Sequence, residues 1–107
     1  MSHRIERFTS TLKHCLGDIL LNEIDNPQLQ FLSISEILVS PDLKTAKVFI
    51  TGPGNDVDQL IKKLTKAKGF IKKKLPQKMA LKYVPELIFL KDPGFELDQK
   101  MSKLINW

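Results

Sequence analysis

Lys62-Lys63-Leu64-Thr65-Lys66-Ala67-Lys68-Gly69-Phe70-Ile71-Lys72-Lys73-Lys74 is the stretch on which the fold turns. Around its first half, Val57, Leu60, Ile61 and Leu64 recur at steps of three and four, the mark of one apolar helical stripe. At about 100° per residue, Lys62, Lys63 and Lys66 point away from that stripe and must face water or a partner. Ala67-Lys68-Gly69 then interrupts the run, because glycine after a helical stretch acts as a kink or C-cap. A further helical segment from Phe70 to about Met79 is predicted to leave at an angle, with Pro76 weakening its end.

Outward from this kink the elements follow in both directions. Toward the N-terminus, Ile5, Phe8, Leu12, Leu16, Ile19, Leu20 and Ile24 form one buried stripe, which predicts a long amphipathic helix capped by Ser2 and closed by Asp25-Asn26-Pro27. Phe31 to Val39 is a short β-rich run ended by Ser40-Pro41-Asp42, and Lys44 to Thr51 alternates with Ala46, Val48 and Ile50 on one face and Lys47 on the other. Their close spacing makes the two a hairpin. Gly52-Pro53-Gly54 turns the chain, and Asn55 is suited to cap the helix that follows.

Toward the C-terminus, Pro85 introduces a third strand, Glu86 to Lys91, with Leu87 and Phe89 facing one way and Ile88 and Leu90 the other. After Pro93-Gly94 a last helix is expected from Phe95 to Ile105. The order is helix, strand, strand, helix, kinked helix, strand, then a short C-terminal helix. It predicts an α+β layer with one sheet face covered by helices, in a single domain over residues 1–107.

Charge is distributed unevenly along this order. Between Lys62 and Lys82 stand nine lysines (Lys62, Lys63, Lys66, Lys68, Lys72, Lys73, Lys74, Lys78 and Lys82) and no acidic residue, which supplies the whole excess behind the net +5. A helix face normally mixes signs, since pairs of opposite charge at i,i+4 support it and like pairs oppose it. Like-charge crowding is most easily tolerated where an external polyanion neutralises it, and nucleic acid is the commonest such partner.

Several other classes of function find no support. Cys15 is the only cysteine, and with Leu12, Leu16 and Ile19 as helical neighbours it reads as a core thiol. His3 and His14 are too far apart on one helix to share a metal, and the carboxylates are scattered, so neither a metal site nor acid-base catalysis is expected. Gly52-Pro53-Gly54 lacks the ending of a P-loop and reads as a turn. Phe31, Phe49, Phe70 and Phe89 fall in apolar patterns and are expected in the core. No apolar run approaches the length of a membrane span and no secretory signal opens the chain, so a cytoplasmic location, no membrane and no cofactor or small-molecule substrate are expected.

The chain resembles bacterial ribosome-binding factor A over nearly its whole length. The resemblance is carried by Arg4 and Arg7 in the first helix, Val39-Ser40-Pro41-Asp42-Leu43 with Ala46 in the hairpin, Ala67-Lys68-Gly69-Phe70-Ile71 at the kink, and Pro85-Glu86-Leu87-Ile88-Phe89 with Asp92. It implies a type II KH-like fold in which Ala67-Lys68-Gly69 replaces the G-x-x-G loop that ordinary KH domains use to clamp single strands. It further implies binding to the small (30S) ribosomal subunit and 16S ribosomal RNA during late maturation, with importance at low temperature. Two positions often arginine in the family are lysine in this chain, Lys72 and Lys82, which keep charge but lose the planar fork.

The RNA-binding set expected from both lines is Arg4, Arg7, Lys62, Lys63, Lys66, Lys68, Gly69, Lys72, Lys73, Lys74, Lys78 and Lys82, on a monomer, with no catalytic residue. A DNA-binding protein and a module meeting an acidic protein through the same basic face are the alternatives.

Overall fold

The computed structural model describes residues 3–27, 29, 32–52 and 57–94. The elements run α1 (His3–Asp18), prolonged by a π-helical turn (Ile19–Glu23), β1 (Ser33–Val39), β2 (Thr45–Thr51), α2 (Val57–Lys66), α3 (Lys68–Lys78) and β3 (Glu86–Lys91). The expected Ser2 and Asn55 caps, the beginning of the first strand at Phe31, the end of the Gly52-Pro53-Gly54 turn and the C-terminal helix from Phe95 to Ile105 lie outside the described residues.

The first helix buries Leu12, Cys15, Leu16, Ile19 and Leu20, as its periodicity requires. Its last turn is wider than the sequence suggests. The Ile24 N–H bonds the Ile19 carbonyl at 3.2 Å, an i→i−5 closure, after which Ile24 turns extended just ahead of Asp25-Asn26-Pro27. The extra residue in this turn leaves Ile19 and Leu20 buried and Leu21 mostly exposed.

The two N-terminal strands pair antiparallel as a hairpin, with an irregularity between Ile34 and Glu36. Ser40 organises the turn: its hydroxyl donates to Asp42 Oδ1 at 2.7 Å and accepts the Thr45 N–H at 3.0 Å. The Asp42 carboxylate in turn accepts the Lys44 N–H, and the Ser40 backbone N–H donates to the Thr45 carbonyl oxygen at 2.9 Å. Leu43 is carried into the left-handed region at φ 63° by this network, a conformation that side chains other than glycine rarely adopt.

The third strand adds to β2 in parallel, giving the sheet order β1-β2-β3. A parallel neighbour needs a crossover, and α2 with α3 supplies it. Ile37, Ala46, Val48, Ile50, Leu87 and Phe89 form one face of the sheet and pack in a single cluster with Leu12, Leu16, Leu60, Leu64, Ile71 and Leu75 from the helices. That is the expected α+β layer. Phe49, which strand alternation sends to the other face, is also fully buried.

Candidate nucleic-acid interface

The kink falls on one residue. Ala67 takes φ −87° and ψ 1° between α2 and α3, the bridge region, and its N–H is shared between the Lys63 and Leu64 carbonyls at 3.1 Å each. α3 then resumes at Lys68, two residues before the expected start at Phe70, because Gly69 adopts helical geometry instead of ending the run. A Cβ at Gly69 would meet nothing within 4 Å, so the glycine answers no packing need within the protein. The first-turn N–H groups of α3 have no intrahelical acceptor, and no side chain caps them.

Pro76 does not break α3. It stands inside the last turn, and the Met79 N–H closes the helix on the Leu75 carbonyl at 3.1 Å. Only Ile71 and Leu75 of this helix are buried, an i,i+4 pair that defines a narrow apolar stripe. Phe70 is offset by about 100° from Ile71 and falls outside the stripe. It is 40% exposed, with the Lys74 ammonium 5.5 Å from its ring centroid. The expectation that Phe70 belongs to the core is therefore corrected, because the bend reorients the face that α3 presents to the sheet. Phe49 and Phe89 are buried as expected, and Phe31 lies outside the described residues.

Segregation of charge along the chain is not segregation in space. Lys72 and Lys68 close on the two oxygens of Glu86, at 3.1 Å and 3.5 Å. The Lys72 hydrogen bond holds the Glu86 carboxyl below the usual carboxylate range. Lys74 pairs with Glu23 at 3.8 Å, and Lys78 pairs with Asp18. In the latter pair, the Lys78 hydrogen bond depresses the Asp18 carboxyl and Asp18 raises the ammonium. The Cys15 thiol donates to the Lys78 carbonyl oxygen at 3.7 Å and is pushed up by burial, which suits a core thiol.

Four of the nine lysines are thus tied to acids on α1, its π-helical turn and β3. Lys62, Lys63 and Lys66 on α2 and Lys73 on α3 have no acidic partner among the described residues, and they flank the Ala67 bend with the exposed Gly69. Within the kinked helix pair these four cations stay unpaired.

The remaining three candidates gather elsewhere. Arg4 and Arg7 of α1 share one groove of about 730 Å³ with Lys82 of the α3–β3 connection, over a floor that includes Phe8, Leu43, Met79 and Leu81. No acid pairs with either arginine among the described residues, whereas His3 is the group that meets Glu6, at 3.6 Å. Tyr83, not among the expected residues, stands 61% exposed on this groove with the Lys82 ammonium 5.7 Å from its ring centroid. Its signal was an aromatic beside a lysine, outside any apolar periodicity.

Among the described residues no cluster of three or more His, Cys, Asp or Glu could hold a metal ion, and no helix is long and apolar enough to cross a membrane.

The α-β-β-α-α-β order, with a helix pair broken at one residue crossing between parallel strands, defines a KH-like α+β protein. A family model described as ribosome-binding factor A matches residues 4–105. A ribosome-binding factor A of Staphylococcus carnosus (strain TM300) is 42% identical over 104 residues, 95% of this chain and 90% of the relative. The crystal structure of ribosome-binding factor A from Thermus thermophilus superposes with a TM-score of 0.73 at 19% identity, covering 80% of this chain and 92% of that one. A homology model of the Thermus thermophilus ribosome binding factor A, as fitted into the electron cryomicroscopy map of a complex of 30S with that factor, superposes with a TM-score of 0.67 at 19% identity, over 78% and 90% of the two chains. The chain belongs to the ribosome-binding factor A family.

Proposed function

We propose that this protein is a ribosome assembly factor, one KH-like domain over residues 1–107, that docks as a monomer on 16S ribosomal RNA of the free small subunit in the cytoplasm. The observation that carries the reading is the set of cations flanking the Ala67 bend, Lys62, Lys63, Lys66 and Lys73, which no acid of the described residues neutralises. Family membership supports it, as does the fitting of the Thermus thermophilus relative into a 30S complex.

The mechanism is a population shift without chemistry. Phosphates bound at the bend favour one arrangement of a maturing rRNA segment over its competitors, by no more than the difference in affinity between them. First-turn N–H groups at the start of α3 suit phosphate oxygens, and Gly69 lets a backbone approach closely. Phosphate contact positions an RNA without reading its bases, in keeping with the missing G-x-x-G clamp. Misfolded rRNA helices melt less readily in the cold, so a factor of this kind matters most for growth at low temperature.

The test is a four-site variant, K62Q/K63Q/K66Q/K73Q, compared with wild type for co-sedimentation with free small subunits and for salt dependence on 16S rRNA and duplex DNA. Each phosphate neutralised contributes about 0.7–0.9 to the slope of log affinity against log salt. The variant is expected to lose roughly 3 from that slope and at least tenfold in affinity. An unchanged slope in a folded variant, or equal affinity for duplex DNA, would sink the reading.

A further inference from the structure

The groove between the start of α1 and the α3–β3 connection lies apart from the Ala67 bend and differs from it in chemistry. Its rim carries Arg4, Arg7 and Lys82, and its floor is apolar, built from residues that include Phe8 and Leu81. Among the described residues one acid lines it, Asp42, whose Oδ1 accepts the Ser40 hydroxyl at 2.7 Å and the Lys44 N–H at 3.0 Å. These bonds hold Asp42 to its own turn, and among the described residues it forms no ion pair with any of the three cations. Tyr83 completes the groove: its ring is 61% exposed, a lysine ammonium lies over it, and the core makes no use of it.

Cations around an apolar floor with a presented aromatic ring match the two halves of a nucleotide, the phosphate and the flat face of the base. A duplex hides its base faces by stacking and offers this groove only phosphates. An unpaired strand offers both. A volume of about 730 Å³ falls within the roughly 300–1,000 Å³ of a ligand site, room enough for an unstacked nucleotide with its flanking phosphates.

We propose that this groove is a second RNA site, one that takes an unpaired nucleotide of single-stranded RNA, with the base stacked on Tyr83 and the adjoining phosphates held by Arg4, Arg7 and Lys82. This rests on the reading of the protein as an rRNA-binding factor and adds single-strand capture to the phosphate contact at the bend. The kinked helix pair grips a folded rRNA surface without regard to sequence. The groove holds a loose strand beside it, so that a segment still unpaired during maturation is kept from pairing wrongly.

The test uses the full chain and a six-nucleotide single-stranded RNA of mixed sequence, read by fluorescence anisotropy against a duplex RNA of equal length. Tyr83→Ala is expected to weaken single-strand binding by about fivefold or more, to leave its salt slope unchanged, and to leave duplex binding unchanged. Tyr83→Phe keeps the ring and is expected to bind as wild type. R4Q/R7Q is expected to flatten the single-strand salt slope by about 1.4, two phosphates' worth.

Tyr83 is the sole tyrosine, so its ring proton resonances report stacking directly and should move upfield as RNA is added. The proposal is overturned by equal losses of single-strand and duplex affinity in Tyr83→Ala, by no loss at all, or by wild type that binds hexaglutamate as well as RNA. Failure of the hexamer to bind a protein that still co-sediments with small subunits overturns the groove alone and leaves the assembly-factor reading standing.

Discussion

The ammonium of Lys72 lies 3.1 Å from a carboxylate oxygen of Glu86, across the gap between the second helix of the kinked pair and the first residue of the parallel strand. Lys68 reaches the other oxygen of the same group at 3.5 Å. One acid thereby holds two cations that an RNA could otherwise use. Glu86→Gln frees both, and small-subunit rRNA should bind several-fold more tightly at low salt, with a salt slope steeper by up to roughly 1.8. A salt titration of the variant beside wild type checks this, and an unaltered slope would show that Glu86 does not restrain the basic surface.

Acid should loosen these ties. Glu86 and Asp18 have folded-state values below their ordinary 4.5 and 3.8. Their stabilisation is therefore complete above those values and lost as pH falls through the depressed ones. Lys78, raised above its ordinary 10.5 by Asp18, contributes fully below that value and ceases to do so as pH rises through the folded one. Stability should accordingly be flat through neutrality and fall below about pH 4.5. The fall should be less steep in D18N/E86Q, and the difference between the proteins should shrink in about 1 M salt, since the groups are exposed and screened. Urea midpoints taken from neutrality down through the carboxylate range measure this, and parallel curves at low salt would refute it.

Phe49 and Phe70 should separate stability from binding. Phe49→Ala empties a fully buried site and should cost about 3–5 kcal/mol. Phe70→Ala removes a half-exposed ring on the bend and should change stability by less than about 1 kcal/mol. It should nonetheless weaken rRNA binding by about fivefold, because an exposed ring beside the lysines adds stacking that reads no sequence to the phosphate contact. Chemical denaturation and rRNA titration of both variants give the comparison, and a large stability loss in Phe70→Ala would return that ring to the core.

Ser40 is the polar residue most deeply placed in the hairpin turn, 6% exposed. Ser40→Ala leaves the Thr45 N–H without its hydroxyl acceptor and the Asp42 carboxylate without its closest donor. Loss of about 1–3 kcal/mol is expected, a drop of roughly 4–8 °C in thermal midpoint for each kcal/mol. A variant as stable as wild type would mean that the turn is held by Leu43 N–H to Ser40 carbonyl bonding and strand pairing alone.

Much of the fold is legible in the sequence. Steps of three and four located α1 and α2, alternation located β2 and β3, and Ala67-Lys68-Gly69 located the bend, because burial imposes local periods of about 3.6 and 2 on the sequence. Boundaries moved where geometry absorbed what composition argued against. Gly69 became helical, Pro76 fitted the last turn of α3, and the end of the first helix widened into a π-turn at Ile24. Phe70 has apolar surroundings in sequence that suggest a core residue, whereas only Ile71 and Leu75 of α3 face inward once the bend has set its orientation.

For the candidate site, the order of residues by itself determined that nine cations crowd one segment, that no acid stands among them, and that a kink divides the helices carrying them. Which cations remain available was decided only by the tertiary structure. Glu86, Glu23 and Asp18 arrive beside α3 from β3 and from the first helix and its π-turn, so Lys68, Lys72, Lys74 and Lys78 find partners that no local pattern announces. By the same route Arg4, Arg7 and Lys82, from distant parts of the chain, come to share one groove with Tyr83. Periodicity records what each element does with its own faces, while charge pairing depends on which elements the topology brings within about 4 Å, a relation between distant segments that neither segment encodes alone.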